Sequence, residues 1–147
     1  MPDRSGPKNS IDSLYNSNMR NETDHQSFIL KPSKVSSVGV FALHDIAEGT
    51  HLELFRKDFE EEIKDKEEIP IELQGYCLNY EDGKLLCPKS FNRLDIGNYV
   101  NHSENPNMRY EKGKGYFAKR DIQKGEELFA NYRELKEPES SREDYYK

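Results

Sequence analysis

The residues best suited to chemistry are concentrated in Asn98-Tyr99-Val100-Asn101-His102-Ser103-Glu104-Asn105-Pro106-Asn107. This stretch is short and polar, and it buries too little apolar area to exist for packing alone. Asn101 and His102 can each donate and accept hydrogen bonds, which suits a small ligand carrying both kinds of group. A second stretch follows, Gly125-Glu126-Glu127-Leu128-Phe129-Ala130-Asn131-Tyr132. It reads as a turn and then a strand-like run ending in a tyrosine. Each residue also has a plainer reading. Asn101 could form a turn, His102 could be a satisfied structural histidine, Gly39 could mark a strand bulge, and Tyr132 could place its ring in the core.

The elements that must position these residues are short strands. Ser27 to Lys31 reads as the first strand, stopped by Pro32, and Val38 to Ala42 as the second. His51 to Phe55 alternates polar and apolar, as a half-buried strand does. Asp58 to Glu68 is the best helix candidate, with seven acidic residues, Phe59 and Ile63 as its apolar contacts and Pro70 beyond it. Leu73 to Tyr80 and Lys84 to Cys87 flank Glu81-Asp82-Gly83, a hairpin signal. Asn107 to Glu111 and Tyr116 to Lys119 flank Gly113-Lys114-Gly115, a second one. Many short strands with frequent turns argue a mostly β domain.

Composition narrows the function classes. The chain has 147 residues, which fits one domain with tails, and hydrophobic and charged residues are nearly balanced at 33% and 34%. With no Trp, aromatic packing falls to nine Tyr and seven Phe. A net charge of -6 disfavours direct nucleic-acid binding through a basic face and suits a basic protein partner. No run is long and apolar enough to suggest a membrane span or a signal segment, so an intracellular location, nucleus or cytoplasm, is expected. Cys77 and Cys87 flank a hairpin and could face each other; inside a cell they would stay reduced. Two cysteines cannot build a four-thiolate zinc site, and no metal is expected.

Three ordered motifs carry a resemblance. Val38-Gly39-Val40-Phe41-Ala42, then Asn101-His102-Ser103 with Pro106-Asn107, then Gly125-Glu126-Glu127-Leu128 with Tyr132, together resemble the SET-domain protein lysine methyltransferases. The resemblance implies the SET fold: small curved β-sheets, a knot-like C-terminal threading and few short helices. It implies S-adenosyl-L-methionine as methyl donor and a basic protein such as a histone as substrate. Tyr132 matches the catalytic tyrosine, while Gly39, Asn101 and His102 match residues that hold the donor. Phe55 and Tyr110 sit where members place channel aromatics, and Phe129 joins them by its position in the last strand. The domain is expected over residues 27–134, after a mobile tail at 1–26.

The pattern is not complete. Ser37 stands where the family has the first Gly of its opening motif, Asn98-Tyr99-Val100 replaces Arg-Phe-Ile, and Glu104 replaces a frequent Cys. That Cys often joins a zinc-bound segment that closes the lysine channel. Here residues 135–147, with Tyr145 or Tyr146, or a second copy of the chain in a homodimer, would have to close it. A catalytically weak SET-like module that binds peptides within a complex is the alternative reading.

Overall fold

A computed structural model describes residues 19–135. Within them the chain is mostly strand, arranged in four small sheets with short 3-10 turns between. β1 (Phe28–Pro32) and β2 (Val38–Ala42) pair antiparallel, with Pro32 at the very end of its strand, where a missing N–H does least harm. β3 (His51–Leu52) lies against β9 (Gly115–Ala118), which pairs in turn with β8 (Met108–Glu111). β4 (Glu61–Asp65), β6 (Lys84–Pro88) and β5 (Leu78–Asn79) form a third sheet. β7 (Asn101–His102) and β10 (Phe129–Ala130) pair parallel.

The expected helix at 58–68 is instead β4 followed by a 3-10 turn at Lys66–Glu68. Helix propensity is a weak prior, and cross-strand pairing overrides it. A helix would have stacked Glu61 over Asp65 one turn apart, and like charges at that spacing repel. The strand sets Ile63 opposite Leu86 and Asp65 opposite Lys84, an ion pair at 2.5 Å. The strand expected from Leu73 to Tyr80 is also shorter than its sequence suggested. Ile71–Tyr76 is a 3-10 turn whose Gln74 amide donates to the carbonyls of Lys66 and Ile69, and pairing begins only at Leu78. Both hairpin turns stand where expected. In the first, Asp82 and Gly83 take φ of 60° and 71°, the paired left-handed geometry that matches strand twist.

Of the tail expected at 1–26, residues 20–24 are fastened to the body. Arg20 bridges Ile46 through backbone bonds, and the Thr23 hydroxyl donates to His51 O. Residues 1–18 and 136–147 lie outside the described residues, and so do Tyr145 and Tyr146.

The main core gathers Val40, Ile46, Leu52, Leu54, Met108 and Leu128 from elements scattered along the chain. A smaller cluster of Ile69, Leu85 and Cys87 lies under the third sheet. There Cys77 and Cys87 do face each other as free thiols, with Sγ atoms 3.0 Å apart, and burial raises both thiol pKa values.

One buried polar side chain joins the two chemical stretches. Asn107 is 1% exposed; its amide donates to Glu127 O (2.7 Å) and Glu126 Oε2 (3.3 Å), and its Oδ1 accepts from Phe129 N (2.8 Å). Replacing Asn107 by Ala strands a buried N–H and carbonyl. The expected loss is roughly 2–3 kcal/mol of folding stability, seen as a lower denaturant midpoint with unchanged slope.

Candidate functional site

The site has two halves, and the two-residue strand β7 belongs to both. The first half begins at β2. Its far edge, away from β1, carries residues 125–128: Ala42 N donates to Glu126 O, and Leu128 N donates to Val40 O. This brings Glu127 beside Gly39, with Phe41 and Glu127 in bridge register. A side chain at Gly39 would collide with the Glu127 carboxylate and press on Asn101 Nδ2, so a larger residue there must displace Glu127.

Asn101 closes this half. Its Nδ2 donates to Ser36 O (3.3 Å), Val38 O (3.1 Å) and Glu127 Oε2 (3.0 Å). Three acceptors around one atom identify it as the amide nitrogen. The two carbonyls flank Ser37, whose φ of 41° is left-handed. The position where the family pattern carries Gly is therefore one where the backbone conformation favours Gly, and Ser37 occupies it at a cost.

The second half surrounds Tyr132, which opens the 3-10 turn Tyr132–Leu135. Its backbone N–H donates to His102 Nδ1 at 3.0 Å, so the ring proton of His102 sits on Nε2, bonded to Glu104 Oε2 at 2.9 Å. Glu104 also pairs with Arg133 Nη1 at 3.1 Å. The bond from His102 holds the Glu104 carboxyl below its usual range, helped by Arg133. The residue that departs from the family's Cys thus ties β7 to the segment after β10 with an exposed charge cluster.

The Tyr132 hydroxyl donates to Val100 O at 2.5 Å, and its ring meets the His102 ring edge-on at 5.2 Å. It reaches a narrow cavity lined by Leu54, Phe55, Tyr76, Tyr116, Tyr132 and Leu135, with Glu61 and Cys77 also on the wall. Burial pushes the phenol pKa values of Tyr132 and, further, Tyr116 above that of an ordinary tyrosine.

Phe55 is fixed by its neighbours. Asp95, 7% exposed, accepts from Arg56 N (3.0 Å) and pairs with Arg56 Nε (2.5 Å). Gly97 N donates to Leu54 O, and a methyl on Gly97 would run into the Phe55 ring. The ring packs on Phe59 and Tyr116 with centroids 4.6 and 5.6 Å away.

The sequence candidates therefore fall into groups. Gly39 and Asn101 meet in one half; His102, Tyr132 and Phe55 build or brace the other. Tyr110 stands opposite Tyr116 across the β8–β9 ladder, 5.0 Å between centroids, and does not line the cavity. Phe129 pairs with Asn101 in β10 and is likewise not on the cavity wall. Tyr116, Tyr76 and Glu61 were not singled out by sequence, and Glu127 entered only as part of its motif. Tyr116 carried a usable signal, since a residue opposite Tyr110 in a hairpin must share its face.

Comparison with protein-family models matches residues 37–133 to the SET domain, well over half of the chain. The chain belongs to the SET-domain family. Solved structures similar to this SET protein include these two. One is a Plasmodium falciparum chain provisionally assigned as a histone methyltransferase, 26% identical, covering 71% of this chain and 96% of that one, with a TM-score of 0.46. The other is the methyltransferase domain of human PR domain-containing protein 2, 22% identical, covering 71% and 75%, with a TM-score of 0.48. No curated protein sequence matches this chain.

Two expectations follow. Ser37→Gly removes a left-handed cost of roughly 1–2 kcal/mol and adds roughly 0.5–1 kcal/mol of unfolded-state entropy. The net change, about 0 to 1.5 kcal/mol in favour of folding, should appear as a raised denaturant midpoint. The second concerns pH. Tyr132 keeps its proton in the folded chain above the point, near pH 10, where the unfolded chain loses it. Stability is therefore fully present below about pH 10 and falls above it. Denaturant midpoints measured from pH 8 to 11 should fall less steeply for Tyr132→Phe than for the native chain, with Tyr116 and the two thiols supplying the slope that remains.

Proposed function

We propose that this SET protein is a protein-lysine N-methyltransferase that uses S-adenosyl-L-methionine and acts on a basic protein such as a histone. The observation that carries the reading is the bond from Tyr132 N to His102 Nδ1. It ties a half-buried phenol at a narrow aromatic cavity to the same short strand that presents Asn101 to Gly39.

Transfer to an amine requires that the amine be neutral and aligned. Free lysine has a pKa of about 10.4, so about one amine in a thousand is neutral at pH 7. The cavity walls of Leu54, Phe55 and Tyr116 exclude water, which disfavours the ammonium form and lowers that pKa. The Tyr132 hydroxyl spends its proton on Val100 O and keeps its lone pairs for an amine N–H. It works as an aligning acceptor and not as a base, because burial holds the phenol protonated. When bound, S-adenosyl-L-methionine supplies an activated methyl group and a neutral leaving sulfide. Gly39 and Asn101 would hold its methionine portion, and the backbone of His102 would help. The substrate class is favoured by charge, because β4 sets the acidic Glu61 on one wall of the cavity.

The test is transfer of labelled methyl from S-adenosyl-L-methionine to histones and other basic proteins, with the native chain beside Tyr132→Phe. Lysine labelling is expected from the native chain. Roughly hundredfold slower transfer is expected from the variant, with donor affinity unchanged, as misalignment of the amine would produce. Donor binding without transfer to any lysine would favour the peptide-binding module, and absence of donor binding would sink the enzyme reading.

A further inference from the structure

The two free thiols lie where the third sheet meets the cavity. Tyr80 N donates to Lys84 O, so these two residues form a hydrogen-bonded pair. The ladder runs on through Asn79 opposite Leu85 and Leu78 opposite Leu86. One step further, alternation sets Cys77 opposite Cys87 at a non-hydrogen-bonded position. Cys77 N accordingly bonds elsewhere, to Gln74 O. Side chains stand closest at such positions, where Cα atoms about 4.5 Å apart fall inside the range that a disulfide spans. The Sγ atoms are 3.0 Å apart and need to close by only about 1 Å to bond.

The two sulfurs differ in access and in what they touch. Cys87 is fully buried in the small core with Ile69 and Leu85. Cys77 is half-buried and borders both that core and the cavity. Gly75, Tyr76, Cys77 and Leu78 are successive residues of the cavity wall. A 3-10 turn and the two-residue strand β5 hold them, which is a light tether.

We infer that Cys77 and Cys87 form a reversible dithiol–disulfide site, oxidised by a small-molecule disulfide, whose closure pins residues 75–78 of the cavity wall to β6. The site needs no methyl donor, so it stands apart from the methyl-transfer reading. Exchange begins at Cys77, the sulfur with some exposure. Its thiolate attacks one sulfur of the small disulfide, breaks that S–S bond and releases one thiolate, which leaves Cys77 in a mixed disulfide. The Cys87 thiolate then attacks the Cys77 sulfur and expels the second thiolate. Two protein thiols are oxidised, one small disulfide is reduced to two thiols, and the two cysteine protons end on those thiols. Burial raises both cysteine pKa values, so thiolate is scarce at neutral pH and exchange is slow.

The test equilibrates the native chain, folded and in denaturant, with glutathione buffers of graded oxidation, and reads the products by alkylation and mass spectrometry. A disulfide within one chain is expected. The folded chain should hold it about thirtyfold to a thousandfold more strongly than the denatured chain, because fold and disulfide stabilise each other equally. Hydrogen exchange at the amides of Cys77 and Leu78 should slow about tenfold on oxidation, with Asn101 and His102 unchanged. Cys87→Ser should accumulate the glutathione mixed disulfide on Cys77, whereas Cys77→Ser should leave Cys87 unmodified in the folded chain. A disulfide no more stable in the folded than in the denatured chain, or one formed only between chains, would overturn the site. Closure without slower exchange at Cys77 and Leu78 would overturn its hold on the wall, and glutathione on Cys87 would overturn the order of attack. Should Cys87→Ser fail to fold, the glutathione equilibrium of the native chain still decides.

Discussion

The amide of Asn107 is the constraint on which the site depends. Two residues of parallel ladder, Asn101–His102 against Phe129–Ala130, form too short a sheet to hold on their own. Asn107 supplies what the ladder lacks, by accepting from Phe129 N and donating to Glu127 O from a fully buried position. A buried amide with all its partners in place is specific as well as stabilising, because any other register leaves those partners bare. Once residues 125–128 are held, they line the edge of β2, and Glu127 and Gly39 are brought together.

The same economy appears on the other side of β7. Alternate residues of a strand point to opposite faces, so Asn101 and His102 serve different halves of the site. Asn101 gathers the carbonyls of Ser36 and Val38, and His102 holds the backbone of Tyr132. The departures from the family pattern have physical substitutes. Ser37 adopts the left-handed conformation that Gly would take more easily, and Glu104 links His102, by a hydrogen bond, to Arg133, by an ion pair. An exposed cluster of that kind contributes little to stability and mainly fixes geometry.

Much of this was legible in the chain. The edges of β1 and β2, the two hairpin turns and the three motif stretches follow from rules that act between near neighbours: alternation, a Pro at a strand end, and Gly where φ must be positive. Asn101 and His102 stood out because polar residues are costly where packing has no use for them, and Tyr132 stood out only through the motif resemblance. The acidic run 58–68 misled for a related reason. Viewed locally it suits a solvated helix, and nothing within it reveals Lys84 and Leu86 waiting across a ladder.

The sequence by itself determined the strand-rich class, the turn positions and the polar residues from which a site could be built, because those depend on contacts a few residues apart. Only the tertiary structure decided that residues 61–65 are a strand, that Tyr116 and Tyr76 line the cavity while Tyr110 and Phe129 do not, and that Glu127 rests on Gly39. Those outcomes depend on the register between distant segments. A shift of one residue turns every side chain of a strand to the opposite face, and register is set by the sum of burial and hydrogen bonding over the whole domain.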